Sequence, residues 1–340
     1  MSCMAFSFFE EASDELMSWL LEKGTTQQYE AGSILIKEGV ISEYVFILIN
    51  GEILVKTTNQ NGIRQRLAVL NSGAIVGEMS WLEQRPAVAD IVTNAKSKVL
   101  HLDSILLDNL SNLKPILAAE WHRLIAKKLA AQIENQNAWI HRYEGLSAEV
   151  EPLRKVFVLF SELNDLDINT LANIGRLRRV APSGILIKQG QDVPSIFLIL
   201  AGEADILVDI NGVQKKVGSS RRGELLGELT LVNSTTQGAT ATVRGSEGME
   251  LLEINKIELL QVLNKEPALA DRFFRSLSRM MSQRSRDQLL ARQLAARSQG
   301  AEHNDDGDEL DLIQLGEINR SGQRFSSLCQ KFQSGGRNQE

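Results

Sequence analysis

Short runs of apolar, β-branched residues alternate with glycine-containing turns through most of the chain. Ile34–Ile36 and Val45–Ile49 are two such runs, and Asn50-Gly51 and Asn61-Gly62 are dipeptides that favour tight turns. Strands this short, separated by closely spaced turns, are typical of a jelly-roll or a sandwich. The pattern therefore predicts a mainly β fold with flanking helices, an α+β arrangement.

Helical periodicity flanks the strands. Residues 10–23 and 161–177 have the pattern of helices, with Ser13 and Asp167 as their predicted start signals. Longer helices are predicted at 115–142 and 266–299, each opened by a proline. Apolar residues recur there every four positions and predict one buried face per helix: Leu117, Trp121, Ile125, Leu129 and Ile133 in the first, and Leu269, Phe273, Leu277 and Met281 in the second. Polar residues follow at 282–288.

The chain contains an internal repeat. The segment at 31–55 recurs at 182–208, and Gly77-Glu78 recurs as Gly227-Glu228. A period of domain size indicates duplication of a whole domain. We therefore predict two tandem jelly-rolls, divided as follows: a first jelly-roll at 1–114, a connecting long helix at 115–145, a second jelly-roll at 146–265, a C-terminal long helix at 266–299, and a flexible acidic and polar tail at 300–340.

The amino-acid composition narrows the classes of protein to which the chain can belong. A net charge of −6 and 5% aromatic residues argue against a protein that coats nucleic acid. The two cysteines, Cys3 and Cys329, exclude a disulfide framework and fit a reducing compartment. Because no apolar run approaches about 20 residues and the N-terminus has no signal pattern, we predict a cytoplasmic protein without a membrane span.

The sequence offers little support for an enzyme. Its four histidines include no His-x-His pair of the kind that metal-binding jelly-rolls need. There is no Gly-Lys-Ser/Thr phosphate loop and no Gly-x-Ser-x-Gly motif. We therefore predict a non-enzymatic protein without a metal, and we find no DNA-binding helix-turn-helix. The seven arginines in 266–299 form either a solvated face or a contact for an acidic partner or nucleic acid.

Each repeat carries one motif with the pattern of a ligand site. The first reads GAIVGEMSWLEQRPAVADIV at 73–92, and the second reads GELLGELTLVNSTTQGATATV at 223–243. Both resemble the phosphate-binding cassette of the cyclic nucleotide-binding domain family. The resemblance implies an anion site made by backbone N–H groups, with Glu78 and Glu228 accepting a hydrogen bond from a ribose hydroxyl. The candidate binding residues are Gly77, Glu78, Met79, Ser80, Arg85, Ala87, Val88 and Ala89 in the first repeat, and Gly227, Glu228, Leu229, Thr230, Ala239, Thr240 and Ala241 in the second.

Both cassettes lack the arginine that the family uses to neutralise a cyclic phosphate. Ala87 and Ala239 occupy its position. Because a charged hydrogen bond contributes about 1.5–3 kcal/mol, phosphate binding is expected to be weaker here by about 10- to 150-fold. Arg85 in the first repeat, or Arg221 and Arg222 before the second cassette, are candidate replacements; the other interpretation is that they are surface charges.

Three interpretations of the ligand stay open. The cassettes bind cyclic AMP or cyclic GMP, they bind another anion such as a cyclic dinucleotide, or they bind nothing. The first two predict a sensor that transmits ligand occupancy through its long helices to a protein partner or a second copy, with Phe273, Leu277 and Met281 of the 266–299 helix as the contact. The other interpretation of these three residues is that they pack against their own roll. The third predicts a ligand-independent scaffold. The two-roll order also resembles kinase regulatory subunits, although their docking and inhibitor segments are expected to be absent.

Overall fold

The computed structural model describes residues 7–58, 64–140, 158–181, 184–210, 212–233, 238–297 and 312–335. It divides into two units. Unit 1 comprises Met1–Gln136 and Met281–Asn304, and unit 2 comprises Asn137–Met280 and Asp305–Glu340.

The first repeat folds into two four-stranded antiparallel sheets. Its strands are β1 (Thr25–Tyr29), β2 (Ile34–Ile36), β3 (Tyr44–Asn50), β4 (Glu52–Thr58), β5 (Arg64–Asn71), β6 (Ile75–Val76), β7 (Asp90–Thr93) and β8 (Ser97–Asp103). The sheet orders are β1-β8-β3-β6 and β2-β7-β4-β5. Inward residues of both sheets, among them Phe46, Ile53 and Ile91, share one apolar core. The predicted jelly-roll is therefore confirmed for this repeat.

The second repeat has the same topology. Its strands are β9 (Gly175–Arg179), β10 (Ile185–Ile187), β11 (Ser195–Ala201), β12 (Glu203–Ile210), β13 (Val213–Arg221), β14 (Leu225–Leu226), β15 (Thr242–Gly245) and β16 (Glu250–Asn255). The sheet orders are β14-β11-β16-β9 and β10-β15-β12-β13. A core that includes Phe197, Leu226 and Val243 fills the space between the sheets. The duplication predicted from the repeat is therefore a duplication of the fold.

Helices lie before, within and after each roll. The first repeat has α1 (Phe8–Glu11), α2 (Asp14–Lys23), α3 (Glu78–Glu83), α4 (Ser104–Leu113) and α5 (Pro115–Ile140). The second has α6 (Val158–Glu162), α7 (Asp165–Ile174), α8 (Leu229–Val232), α9 (Lys256–Lys265), α10 (Pro267–Arg297) and α11 (Leu312–Gly335). Pro115 and Pro267 open their helices as predicted, because the missing N–H is not needed in a first turn.

One of the two predicted start signals is wrong. Ser13 caps α2, and its hydroxyl accepts the N–H of Leu16. Asp167, however, lies inside α7, whose cap is Asn164. The two side chains form a reciprocal capping box, in which Asn164 accepts the Asp167 N–H at 3.0 Å and Asp167 accepts the Asn164 N–H at 2.8 Å. The helix therefore begins at Asp165, two residues before the predicted start signal, because two polar residues share the capping role. The predicted single helix over 161–177 is wrong in its bounds, since α6 ends at Glu162 and β9 begins at Gly175.

The apolar stripe of α10 is not an open contact face. Phe273, Leu277 and Met281 have exposed fractions of 1%, 0% and 1%. The prediction that these three residues present the helix to a partner is therefore wrong. The predicted basic face of α10 is also largely neutralised within the chain, since Arg272 pairs with Asp167, and Arg279 pairs with Glu162.

The predicted tail includes a packed helix. In the described side chains of α11, Phe325, Leu328 and Cys329 are buried. The Phe325 ring lies edge-on to Phe160 of α6, with 5.1 Å between ring centroids, and Arg324 donates to the Phe160 carbonyl oxygen at 2.9 Å. The prediction of a flexible tail is therefore wrong for this part, because apolar residues spaced three and four apart give α11 a buried face.

Candidate functional site

A left-handed glycine starts each cassette. Gly77 has φ 90° and Gly227 has φ 80°, a region that residues with a Cβ rarely adopt. A Cβ on Gly77 would lie 2.7 Å from the carbonyl oxygen of Tyr44. Glycine is therefore required there on two grounds, and the turn brings Glu78 to the first position of α3.

Glu78, the predicted ribose contact, is buried and paired. Its side chain is 3% exposed and forms an ion pair with Lys128 of α5. A buried carboxylate is stable only with a partner of this kind. The helix that follows the first roll therefore touches the residue to which the resemblance assigns ligand binding.

Trp81 gives the first cassette a second contact with the same helix. The indole, 3% exposed, stacks on the His122 ring with 5.6 Å between centroids and 9° between planes. Its Nε1 donates to Asp108 of α4 at 2.9 Å. Ser80, a candidate to bond either phosphate or a backbone amide, accepts the Ser42 N–H and donates to the Arg85 carbonyl oxygen at 2.6 Å. The cassette helix is thus tied to both helices that follow the roll.

The second half of the first cassette packs against the roll. Ala87, at the family's arginine position, lies against the apolar core and is half-buried. Its N–H donates to the Val40 carbonyl oxygen at 3.0 Å, and its carbonyl accepts the Gly39 N–H at 2.9 Å. Val88 is half-buried and Ala89 is buried. The loop is therefore held by its backbone, without a cation at position 87.

Two charged residues near the first cassette change its electrostatics. Burial raises the pKa of Glu83, the last residue of α3, and the charge of the half-buried Arg85 is among the groups that oppose this shift. Asp90, three residues after Ala87, is buried, accepts the Glu38 N–H at 2.8 Å and lies 3.6 Å from Arg64. Asp90 was not among the predicted site residues. A carboxylate at this place disfavours an anionic ligand.

The second cassette has its own lysine contact. Glu228 and Leu229 are buried. Thr230 donates its hydroxyl to the Gly227 carbonyl oxygen at 2.9 Å and accepts a hydrogen bond from Nζ of Lys256, the first residue of α9. Burial lowers the pKa of Lys256, while Asp192 and Glu228 oppose that shift. A half-buried cation thus lies near Glu228, at a position that the sequence analysis did not select.

The end of the second cassette repeats the backbone pattern of the first. Ala239, at the arginine position, belongs to the core, accepts the Gly190 N–H and donates to Gln191, both at 2.8 Å. Thr240 and Ala241 are half-buried. Thr242, at the place of Asp90, accepts the Gln189 N–H through its hydroxyl at 3.1 Å. The backbone N–H that a carboxylate accepts in the first domain is therefore accepted by a neutral hydroxyl in the second.

Neither arginine before the second cassette is brought to it by the contacts observed. Arg221 lies 3.6 Å from Glu203 on β12. The Arg222 guanidinium lies over the ring of Phe325 in α11, 5.0 Å from its centroid. The proposed replacement of the missing arginine by Arg222 is therefore wrong, because its charge is used in a cation–π contact.

The described part of the chain contains neither a candidate metal site nor a helix suited to cross a membrane. There, no three His, Cys, Asp or Glu side chains are grouped so that they could hold a metal ion. No helix within the same residues combines the length and apolar character that crossing a membrane requires. Of the four histidines, His141 and His303 lie outside the described residues.

Comparison with known families agrees with this geometry. The model of the cyclic nucleotide-binding domain matches residues 26–112 and 177–266, which together are more than half of the chain. The chain belongs to the cyclic nucleotide-binding domain family. Each match contains one roll and one cassette, so the chain carries two cyclic nucleotide-binding domains in tandem.

Related proteins share one or both of these domains. The chain is 29% identical over 133 residues to cyclic GMP-binding protein C of Dictyostelium discoideum, covering 38% of this chain and 5% of that protein. It is 24% identical over 214 residues to the cAMP-dependent protein kinase regulatory subunit of Mucor circinelloides f. lusitanicus, covering 63% and 42%. The chain spans less than half the length of these two relatives.

A solved structure of a kinase regulatory domain is also similar. The regulatory domain of Toxoplasma gondii PKA with cAMP is 16% identical, covers 78% of this chain and 89% of that chain, and aligns with a TM-score of 0.30. The two cyclic nucleotide-binding domains of the present chain are established by the family match and by the strand order of each roll.

Proposed function

We propose that the protein is a non-enzymatic regulator in which ligand occupancy of the cassettes alters the helices that follow the rolls. The observation that carries this proposal is the direct contact between cassette and helix in the first domain. Glu78 pairs with Lys128, and Trp81 stacks on His122, both on α5. A change at the cassette would therefore reach α5 without an intermediate element.

The second domain supports the same proposal through a different pair. Lys256, the first residue of α9, contacts Thr230 of the cassette helix. A helix in contact with the site can adopt a new position only if the ligand binds one arrangement more tightly than the other. Lys128 and Lys256 each join a cassette to a helix, so a difference in ligand affinity between two helix positions would arise at their contacts.

The proposed ligand is a cyclic nucleotide: cyclic AMP, cyclic GMP or a cyclic dinucleotide. Family membership, the left-handed Gly77 and Gly227, and the buried Glu78 and Glu228 support it. A ribose hydroxyl would share Glu78 with Lys128, and this shared carboxylate would link the ligand to α5. The absence of arginine at 87 and 239 predicts weak binding for a cyclic mononucleotide.

Intrinsic fluorescence tests the proposal. All tryptophans and tyrosines precede residue 144, so emission reports the first half of the chain and Trp81 lies in its cassette. Titration with cyclic AMP, cyclic GMP and cyclic di-nucleotides is expected to change the emission and raise the melting temperature. In the matched variant Trp81→Phe, the melting shift should persist while most of the emission change disappears.

Variants of the two glutamates assign the ligand to a cassette. Glu78→Gln and Glu228→Gln keep the side-chain size but replace the charged acceptor of the ribose hydroxyl by a weaker neutral one. Affinity for the cyclic nucleotide should therefore fall in the domain that binds it. If both variants keep full affinity, the ribose contact is assigned to the wrong residues. Unchanged emission and melting temperature for all probes at saturation would exclude ligand sensing.

A scaffold without a ligand is the second candidate function. It is favoured by Ala87 and Ala239, since both pack against the core of their roll. In this alternative the two domains serve only for contacts with other proteins. The relatives named as kinase regulatory subunits support a protein partner in either case, but the buried stripe of α10 is not proposed as its contact. A cytoplasmic location stays a prediction.

A further inference from the structure

Polar residues of α10 form hydrogen bonds with the end of the first cassette. Arg286 donates from Nε to Oε2 of Glu83 at 2.7 Å and from Nη1 to the Pro86 carbonyl oxygen at 2.8 Å. Ser282 donates its hydroxyl to Oε1 of Glu83. All four residues belong to unit 1. These four residues, here called the cassette latch, enclose the turn between the end of α3 and Ala87.

The latch is buried. The side chains of Arg286 and Glu83 are 5% and 1% exposed, and Ser282 has an exposed fraction of 0%. Burial raises the pKa of Glu83, and Arg286 with Ser282 opposes that shift. A buried ion pair of this kind adds little net stability over apolar residues, but its loss on one side is costly. Its main effect is therefore on geometry.

The turn inside the latch is strained. Gln84, with φ 52° and ψ 42°, is the one non-glycine residue with positive φ in the described part of the chain. Such a conformation persists where the surroundings fix it. The latch holds Glu83, directly before Gln84, by its carboxylate and Pro86, two residues after it, by its carbonyl. Gln84 itself donates to the Trp81 carbonyl oxygen at 2.8 Å.

We propose that Arg286 and Ser282 are positioning residues for the first ligand site. They hold the strained turn at Gln84 and thereby set where Ala87, Val88 and Ala89 meet the ligand. Release of the latch would let Gln84 relax to a negative φ and shift this loop. The C-terminal part of α10 is then a control element for the first cassette, and its regulatory meaning rests on the proposed function.

Hydrogen–deuterium exchange of the full chain tests the latch locally. Arg286→Gln and Arg286→Lys should raise exchange in residues 78–90 by about tenfold or more, with strands β3 and β4 unchanged. The lysine keeps the charge but loses the two-point contact. Arg272→Gln is the matched control, because it breaks an ion pair of the same helix in unit 2 and should leave residues 78–90 unchanged. Equal exchange in all variants, or a rise spread over the whole roll, would overturn the proposal.

A glycine variant tests the strain itself. Gln84→Gly adopts positive φ without strain, so the double variant Gln84→Gly/Arg286→Lys should show a smaller rise in exchange than Arg286→Lys alone. An equal rise would mean that the latch does not hold this turn. Cyclic AMP titration of the same proteins separates the two proposals: a wild type that binds no probe contradicts the sensor, while the exchange difference alone decides the latch.

Discussion

Glu83 ends the first cassette helix with a buried carboxylate, whereas Asn233 stands at the equivalent place in the second domain. The same replacement of charge by a neutral group occurs after the cassette, where Asp90 corresponds to Thr242. The lysine that contacts the cassette also comes from a different helix in each domain, Lys128 from α5 and Lys256 from α9. Two copies of one backbone have therefore acquired different electrostatics.

The difference has a direct consequence for ligands. The first cassette combines Glu78, Glu83 and Asp90 with no arginine at 87, and Lys128, Arg286 and Arg64 neutralise these acids. The second places Lys256 beside Glu228 and has neutral groups at the other two positions. The pairing of Asp90 is the loosest of the three, since Arg64 lies 3.6 Å away and its side chain is 59% exposed. Repulsion of an anion by Asp90 is thus expected to be stronger than at the neutral Thr242 of the second cassette. A phosphate-containing ligand should prefer the second.

The largest expected effect is on stability. Lys128→Met leaves Glu78 buried without its partner, and should lower the unfolding free energy of the first domain by about 3–5 kcal/mol. Lys256→Met removes a donor to the neutral Thr230 hydroxyl and a charge near Glu228, and it should cost less because Lys256 is only half-buried. Denaturant unfolding followed by tryptophan emission measures the first variant, and exchange of β11 and β16 measures the second. Equal losses would show that the two lysines play one role.

Rescue distinguishes lost pairing from lost packing. In Glu78→Gln/Lys128→Met the buried charge is gone, so much of the stability lost in Lys128→Met should return. A double variant as unstable as Lys128→Met would show that packing of the lysine stem, rather than the ion pair, stabilises this contact.

The next effect concerns the missing arginine. Ala87→Arg should raise affinity for cyclic AMP by about 10- to 150-fold, because Ala87 is half-buried and a guanidinium there can reach the cassette. Ala239→Arg is the contrasting variant. Ala239 is 8% exposed within the core, so the arginine should destabilise the roll instead. Calorimetric titration and melting curves measure both; no gain from Ala87→Arg would mean that the first pocket does not fit a cyclic mononucleotide.

A smaller effect is expected from the carboxylate after the cassette. Asp90→Thr copies the second domain and keeps an acceptor for the Glu38 N–H, while it removes one negative charge. Affinity of the first domain for cyclic AMP should rise by about threefold to tenfold, with a weaker gain at high salt. Arg64→Gln is the control, since it should lower affinity. A fall in affinity with Asp90→Thr would contradict the electrostatic comparison.

The smallest effect is a difference in pH response. His101 and Glu253 hold the same register position opposite Phe46 and Phe197. Burial lowers the pKa of His101 from 6.5, so the folded domain prefers neutral imidazole. Stability of the first domain should therefore fall as the pH drops below about 6.5. The His101 ring shares a hydrogen bond with the Tyr29 hydroxyl, 2.9 Å from Nε2. His101→Gln, which can keep such a bond, should flatten the slope of stability against pH; an unchanged slope would assign it to other groups.

Much of the fold was predictable because the signals are local. Turn dipeptides, β-branched runs and the repeated Gly-Glu pair gave the rolls, and the prolines at 115 and 267 gave the starts of two helices. Asp167 shows the limit of such signals, because a capping box uses two polar residues and either one can be taken for the cap. The Asn61-Gly62 turn lies outside the described residues.

The contacts of the candidate site were less predictable. Glu83 and Arg286 are 203 positions apart, and no pattern in the sequence joins them. The polar stretch at 282–288 reads as a solvated face, yet Ser282, Ser285 and Arg286 are buried. Periodicity reports apolar faces only, so a buried polar face can be identified only from tertiary structure.

The packing of α11 against α6 has a consequence for shortened forms of the protein. Phe160, at 1% exposure, is covered by Phe325, and Arg324 caps the carbonyl oxygens of Phe160 and Ser161. A protein shortened before α11 would leave this aromatic patch and two carbonyl groups uncovered in the second unit. Shortened forms should therefore self-associate more readily than the full chain, and any binding assay on them would report a damaged domain.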